Sequence, residues 1–123
     1  MPLKNLIAAV AVLATTGAAF AHGPEVGPNG GQQADAGDNH VEVLTKGTTL
    51  DVFLRDHDSD KAVMTQGFKG TAIFVVGGKS QRIPLAPAGQ NKLTGASGVP
   101  LPNQVKGAIQ ITTPKGSTVQ AKF

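Results

Sequence analysis

"HVEVLT" (residues 40–45) and "TTLDVFLRD" (residues 48–56) decide the reading of the fold. In the first, Val41 and Val43 take one side, with His40 and Glu42 on the other. In the second, Leu50, Val52 and Leu54 alternate with Asp51, Phe53 and Arg55. A two-residue period sends alternate side chains to opposite faces of an extended chain, so both stretches read as strands with one buried and one wet face.

The pattern recurs in "TAIFVV" (71–76), "SQRIPLAP" (80–87), "NKLTG" (91–95), "VKGAIQIT" (105–112), where Ile109 and Ile111 alternate with Gln110 and Thr112, and "STVQAKF" (117–123). Gly, Pro, Asn and Asp punctuate the runs, and no convincing 3.6-residue period appears. "GG" at 77–78 and "TPKGS" at 113–117 read as hairpin turns. Pro84 has no amide hydrogen to donate, which places its strand at an edge or breaks it there. Seven such runs predict an all-β protein, a single small Ig-like β-sandwich over residues 40–123. With 123 residues and 40% hydrophobic content, one small core is the limit.

The first 21 residues differ in kind. Lys4 precedes the apolar stretch "LIAAVAVLATTGAA", and Ala19 and Ala21 stand where a signal peptidase reads small residues. The stretch is shorter than the ~20 residues that span a bilayer. A cleaved signal peptide over 1–21 and a mature periplasmic protein without membrane insertion are therefore expected. Residues 22–39 are rich in Gly and Pro and read as an arm rather than a strand, because their composition buries little. Cysteine is absent, so disulfides and thiolate metal sites are excluded and any metal must be held by nitrogen and oxygen.

Charge divides sharply. From His22 to Asp60 eight acids stand against Lys46 and Arg55, a sum of −6; from Lys61 onward there are eight bases and no acid, a sum of +8. The bases are spaced singly, Trp and Tyr are absent, and export separates the chain from cytoplasmic nucleic acid, so nucleic acid is not the expected partner.

All three histidines, His22, His40 and His57, lie in the acidic half. Cleavage after Ala21 would make His22 the first residue, whose α-amine and ring Nδ1 chelate Cu(II) or Ni(II) together; chance also leaves His at such positions. His40 and Glu42 share a strand face as candidate ligands or as a solvated polar surface. "RDHDSDK" (55–61) spaces Asp56, Asp58 and Asp60 like the start of a calcium loop, but Lys61 stands where the sharp-turn glycine belongs and Gly67 where the bidentate glutamate belongs. An Asp-rich hairpin turn is the plainer reading, with His57 able to meet His22 or His40. The serines at 59, 80, 97 and 117 sit in no nucleophile-elbow context, so an enzyme is not expected.

"GPNGGQQADAGDNHVEV" followed by "LDVFLRDHDSDKAV" resembles a segment of small exported proteobacterial proteins, and is similar to the N-terminal segment of periplasmic adaptor subunits of heavy-metal efflux pumps of the resistance-nodulation-division type. The likeness covers residues 27–63, with Gly30, Gly31, His40 and Glu42 at the matching positions. It implies a β-sandwich module in a metal-efflux setting. The long coiled-coil and barrel domains of those adaptors have no counterpart in these residues, so pump assembly is not implied.

Two functions stand side by side. One is a periplasmic carrier or buffer of one divalent ion, copper first and zinc or nickel next, held by His22, His40 and His57 with Glu42 or Asp58 as an oxygen ligand. The other is a metal-free module that docks on an envelope protein through its basic half.

Overall fold

The computed structural model describes residues 25–123. The leader expected over residues 1–21 and the ligand expected at His22 lie outside the described residues. Nine strands follow one another: β1 (Glu25–Val26), β2 (Gln32–Ala36), β3 (Asn39–Lys46), β4 (Thr49–Asp56), β5 (Lys69–Val76), β6 (Lys79–Pro87), β7 (Lys92–Ala96), β8 (Gly107–Thr112) and β9 (Thr118–Lys122). They form one antiparallel sheet in the order β1-β2-β3-β4-β7-β6-β5-β8-β9. Among the described residues, no helix is long and apolar enough to cross a membrane.

The all-β expectation holds, and the seven expected runs are β3 to β9. The architecture differs in two respects from seven strands in an Ig-like sandwich. First, the arm contributes strands: β2 pairs along its whole length with β3, Gln32 opposite Val43 through Ala36 opposite Asn39. Composition missed this because backbone hydrogen bonds, rather than apolar burial, hold these residues. Secondly, the sheet is continuous and curls into a half-barrel. β6 turns the corner: Lys79 to Leu85 pair with β5, while Ala86 and Pro87 pair with β7. Pro84 lies in the portion flanked by β5 and clear of the β7 ladder, as its missing donor requires.

The curl encloses one core. Val41, Val43, Leu50, Val52, Leu54 and Leu93 approach it from one half, and Ala72, Phe74, Ile83, Ile109, Ile111 and Ala121 from the other. The inward sides of β3, β4 and β8 are those that alternation selects. At the "GG" turn, Gly77 and Gly78 both have positive φ (60° and 79°) between Val76 and its partner Lys79, the two-residue hairpin geometry that favours glycine.

β2 and β9 approach each other without a ladder between them. Next to this seam the Gln32 side-chain amide ties β2 to the segment before β8, donating to the Val105 carbonyl at 3.1 Å and accepting from the Val105 N–H at 2.6 Å. Beside it runs a groove of about 890 Å³ lined by residues that include Gln33, Asp35, Lys106, Lys122 and Phe123.

Candidate metal centre

The outer faces of β2, β3 and β4 bring a row of polar side chains together. Asp35 is the cross-strand partner of His40, and His40 of Arg55. Cross-strand partners share a face with Cβ atoms about 5 Å apart. The next row along the strands is Gln33, Glu42 and Phe53.

The turn after β4 supplies His57. Asp56 Oδ2 accepts from the Asp58 N–H at 3.0 Å, the Ser59 N–H at 2.8 Å and the Ser59 hydroxyl at 3.1 Å. This is the backbone-capping role that short acidic side chains take in turns. Those bonds, Ser59 first, hold the Asp56 carboxyl below its ordinary range. The Asp60 N–H donates to the Asp56 carbonyl at 2.9 Å, and the His57 N–H donates to the Asp38 carbonyl at 2.8 Å, tying this turn to the one between β2 and β3. Asp60 adopts φ 64°, a left-handed conformation that aspartate tolerates better than most residues.

The imidazoles of His40 and His57 therefore face each other, with ring centroids 4.9 Å apart and planes tilted by 36°. Asp35 serves both: its Oδ1 lies 2.6 Å from His40 Nδ1 and its Oδ2 3.4 Å from His57 Nε2. The first contact orients His40: an ionised carboxylate only accepts, so in the neutral ring Nδ1–H is the donor and Nε2 carries the lone pair. That nitrogen faces Asp60 Oδ1 at 4.0 Å. On His57, Nδ1 is 3.3 Å from Asp58 Oδ1. Asp58 first and Asp35 second raise the His57 pKa above its ordinary value near 6.5, because the cation gains two carboxylate neighbours.

Glu42 plays a different part. It is buried, and the "GPNGG" loop covers it. Its Oε2 accepts from the Asn29 N–H at 2.9 Å and the Gly31 N–H at 2.8 Å, and its Oε1 from the Asn29 side-chain amide at 3.0 Å. The loop is a hairpin turn in which the Gly30 N–H donates to the Gly27 carbonyl at 2.9 Å and the Gly27 N–H to the Gly31 carbonyl at 2.8 Å. Gly30 takes φ 84°. A β-carbon at Gly27 would collide with the Glu42 carboxylate, and one at Gly31 with the Val43 carbonyl. The spacing shared by Gly30, Gly31 and Glu42 is thus a loop and its clamp.

No family model, no curated protein and no solved structure matches this chain.

Of the expected ligands, His40, His57 and Asp58 come together, Glu42 is spent on the loop, and His22 lies outside the described residues. Among the described residues, no three His, Asp or Glu side chains stand in metal-holding geometry as they are. They bond to one another instead. Asp35 and Asp60 join the cluster although sequence reasoning did not select them. Asp35 becomes legible only once residues 32–36 are known to be a strand in register with His40.

Proposed function

We propose that this protein is an exported metal-binding module, a periplasmic carrier or buffer of one divalent ion, copper first and zinc or nickel next. The observation that carries the reading is Asp35 held between the rings of His40 and His57. A carboxylate that fixes one imidazole nitrogen and leaves the other free is the usual second partner of a metal-ligating histidine. Imidazole and carboxylate donors suit Cu(II), Ni(II) and Zn(II). A small shift of the exposed Asp58 or Asp60 would add an oxygen ligand to the imidazoles.

His22 completes the set in this reading. Glu25 pairs with Gln33, and Asp35 lies two positions further along β2, on the side from which the chain enters β1. Two residues, Gly23 and Pro24, separate His22 from Glu25, so three chain steps reach about 10 Å at ~3.3 Å each. Removal of the leader after Ala21 frees the α-amine, which with Nδ1 supplies a chelating pair. The site opens to solvent on the sheet's outer face, which suits exchange of an ion rather than chemistry on a substrate, and the protein is assigned no catalytic activity. The resemblance of residues 27–63 to efflux adaptor segments supports a part for the ion in metal homeostasis or efflux.

A metal-free docking module is the second reading. It is favoured by the carboxylate-free chain after Asp60 and by Lys106 and Lys122 beside the groove.

Titration of the mature protein, its N-terminus fixed by mass spectrometry, with Cu(II), Zn(II) and Ni(II) separates the two. One equivalent should bind, and a His40→Ala, His57→Ala double variant should lose at least tenfold in affinity. Equal binding by wild type and the double variant would sink the metal reading; no binding at all would leave the docking module.

A further inference from the structure

We propose that Arg55 is the resident counter-cation of this site, and that an arriving metal ion displaces it from Asp60. The proposal rests on the metal-binding reading and names the device that sets its affinity.

Asp60 Oδ1 lies between two nitrogens, 4.0 Å from His40 Nε2 and 3.3 Å from Arg55 Nη2. A first-row ion bonded to nitrogen and oxygen at about 2.0–2.2 Å each bridges a gap of at most about 4 Å. At a tetrahedral angle such bonds span about 3.4 Å, so a small rotation of the exposed Asp60 side chain, without movement of β3 or β4, closes the 4.0 Å His40–Asp60 separation onto an ion. The guanidinium already uses the same oxygen. Arg55 is well covered, with its side chain 12% exposed, so its charge stays within reach of any ion at His40.

The grip of Arg55 on Asp60 is weak. An arginine at full strength meets a carboxylate through two parallel N–H···O bonds. Among the described residues only Nη2 is engaged, shared with the Gln33 side-chain carbonyl, while Nε and Nη1 are buried without a hydrogen-bond partner there. Asp60 itself is 68% exposed, which leaves its carboxylate free to rotate from the guanidinium to an ion. When it does, Arg55 keeps its bond to Gln33 and stays fixed as a positive charge close to the metal.

Two consequences follow for the site. Without metal, Arg55 offsets the charge of Asp60, so that carboxylate does not gather hard cations indiscriminately. With metal, the trapped guanidinium repels the ion and competes for its oxygen ligand. That lowers affinity and speeds release, as a carrier needs.

The test is Zn(II) or Cu(II) titration of the mature protein and its Arg55→Gln variant, with Arg55→Met as a second neutral variant should the first melt below the working temperature. Neutralising Arg55 should raise affinity roughly tenfold, the order expected for removing one nearby positive charge at intermediate dielectric. Arg55→Lys, which keeps the charge, should stay close to wild type. The gain should shrink in an Asp60→Asn background, because the part that comes from competition for that carboxylate is then lost and only the charge repulsion remains. Wild-type binding with no gain in either neutral variant, or a gain undiminished by Asp60→Asn, overturns this role of Arg55 while the metal reading stands. Failure of every protein to bind overturns both.

Discussion

His40 and His57 stand ring to ring, centroids 4.9 Å apart, although one belongs to β3 and the other to the turn after β4. Asp35 holds the pair, and Asp35→Asn tests how much of the site depends on it. The amide keeps the shape but loses the charge that orients His40, so metal affinity should fall about 10- to 100-fold. Stability should change by less than about 1 kcal/mol, because the carboxylate is half exposed. Parallel metal titration and urea denaturation read the two effects, and an unchanged affinity would remove Asp35 from the site.

The pH dependence follows from His57. A metal needs the neutral ring, so affinity should begin to fall at a pH above that expected of an ordinary histidine near 6.5. For the metal-free protein the sign is opposite. The folded state holds the proton more tightly than the unfolded chain, so this contribution to stability is fully present below about 6.5 and is lost as pH rises through the raised value. Asp58→Asn removes the carboxylate that hydrogen-bonds the His57 ring, and the midpoint of the His57 ring-proton NMR titration should move down. A midpoint that does not move would assign the shift to Asp35 instead.

Glu42 should prove structural. Glu42→Ala deletes three hydrogen bonds to the loop and leaves the backbone N–H groups of Asn29 and Gly31 and the Asn29 side-chain amide without their acceptor. Charge-assisted bonds to a buried carboxylate predict a loss of roughly 2–4 kcal/mol. Faster cleavage by protease between residues 25 and 31 should accompany it. The folded variant should bind metal as wild type does, since the cluster around Asp35 is intact.

Two neighbouring glycines should differ. At Gly30 there is open space around a new β-carbon, and only its φ of 84° is unfavourable, so Gly30→Ala should cost about 1 kcal/mol. At Gly31 a β-carbon meets the Val43 carbonyl, part of the backbone of β3, which cannot yield as a side chain can. Gly31→Ala should therefore cost about 2–3 kcal/mol and weaken the β1–β2 hairpin, as overpacking does. Thermal melts of the two variants, compared side by side, check the order.

The core is the simplest case. Phe74 is fully buried where the two halves of the sheet face each other, and Phe74→Ala should lose about 3–5 kcal/mol. A smaller loss in calorimetry would mean that the half-barrel collapses around the gap.

The strands were legible where one face is apolar. Leu50, Val52 and Leu54, or Ile109 and Ile111, announce an extended chain with a buried side because burial must alternate when side chains do. "QQADA" announces nothing of the kind, since Gln32 to Asp35 stay partly accessible and only Ala36 is buried. Its strand comes from the complementary edge that β3 presents, a fact of distant backbone rather than of local side chains. The candidate site divides in the same way: His40 and His57 were visible as ligand types, whereas Asp35 acquires its role through the register that sets it opposite His40.

By itself the sequence determined the chemistry available: nitrogen and oxygen donors without thiolates, acids and imidazoles confined to the first half, and an all-β chain. It determined these because composition and two-residue periodicity are local properties. Tertiary structure decided which donors meet. It clamped Glu42 under the "GPNGG" loop and moved it out of the ligand set, and it placed Asp35, Asp60 and Arg55 around the two imidazoles. The physical reason is that cross-strand register and turn geometry fix distances between residues far apart in the chain, and metal chemistry depends on distances of a few ångströms.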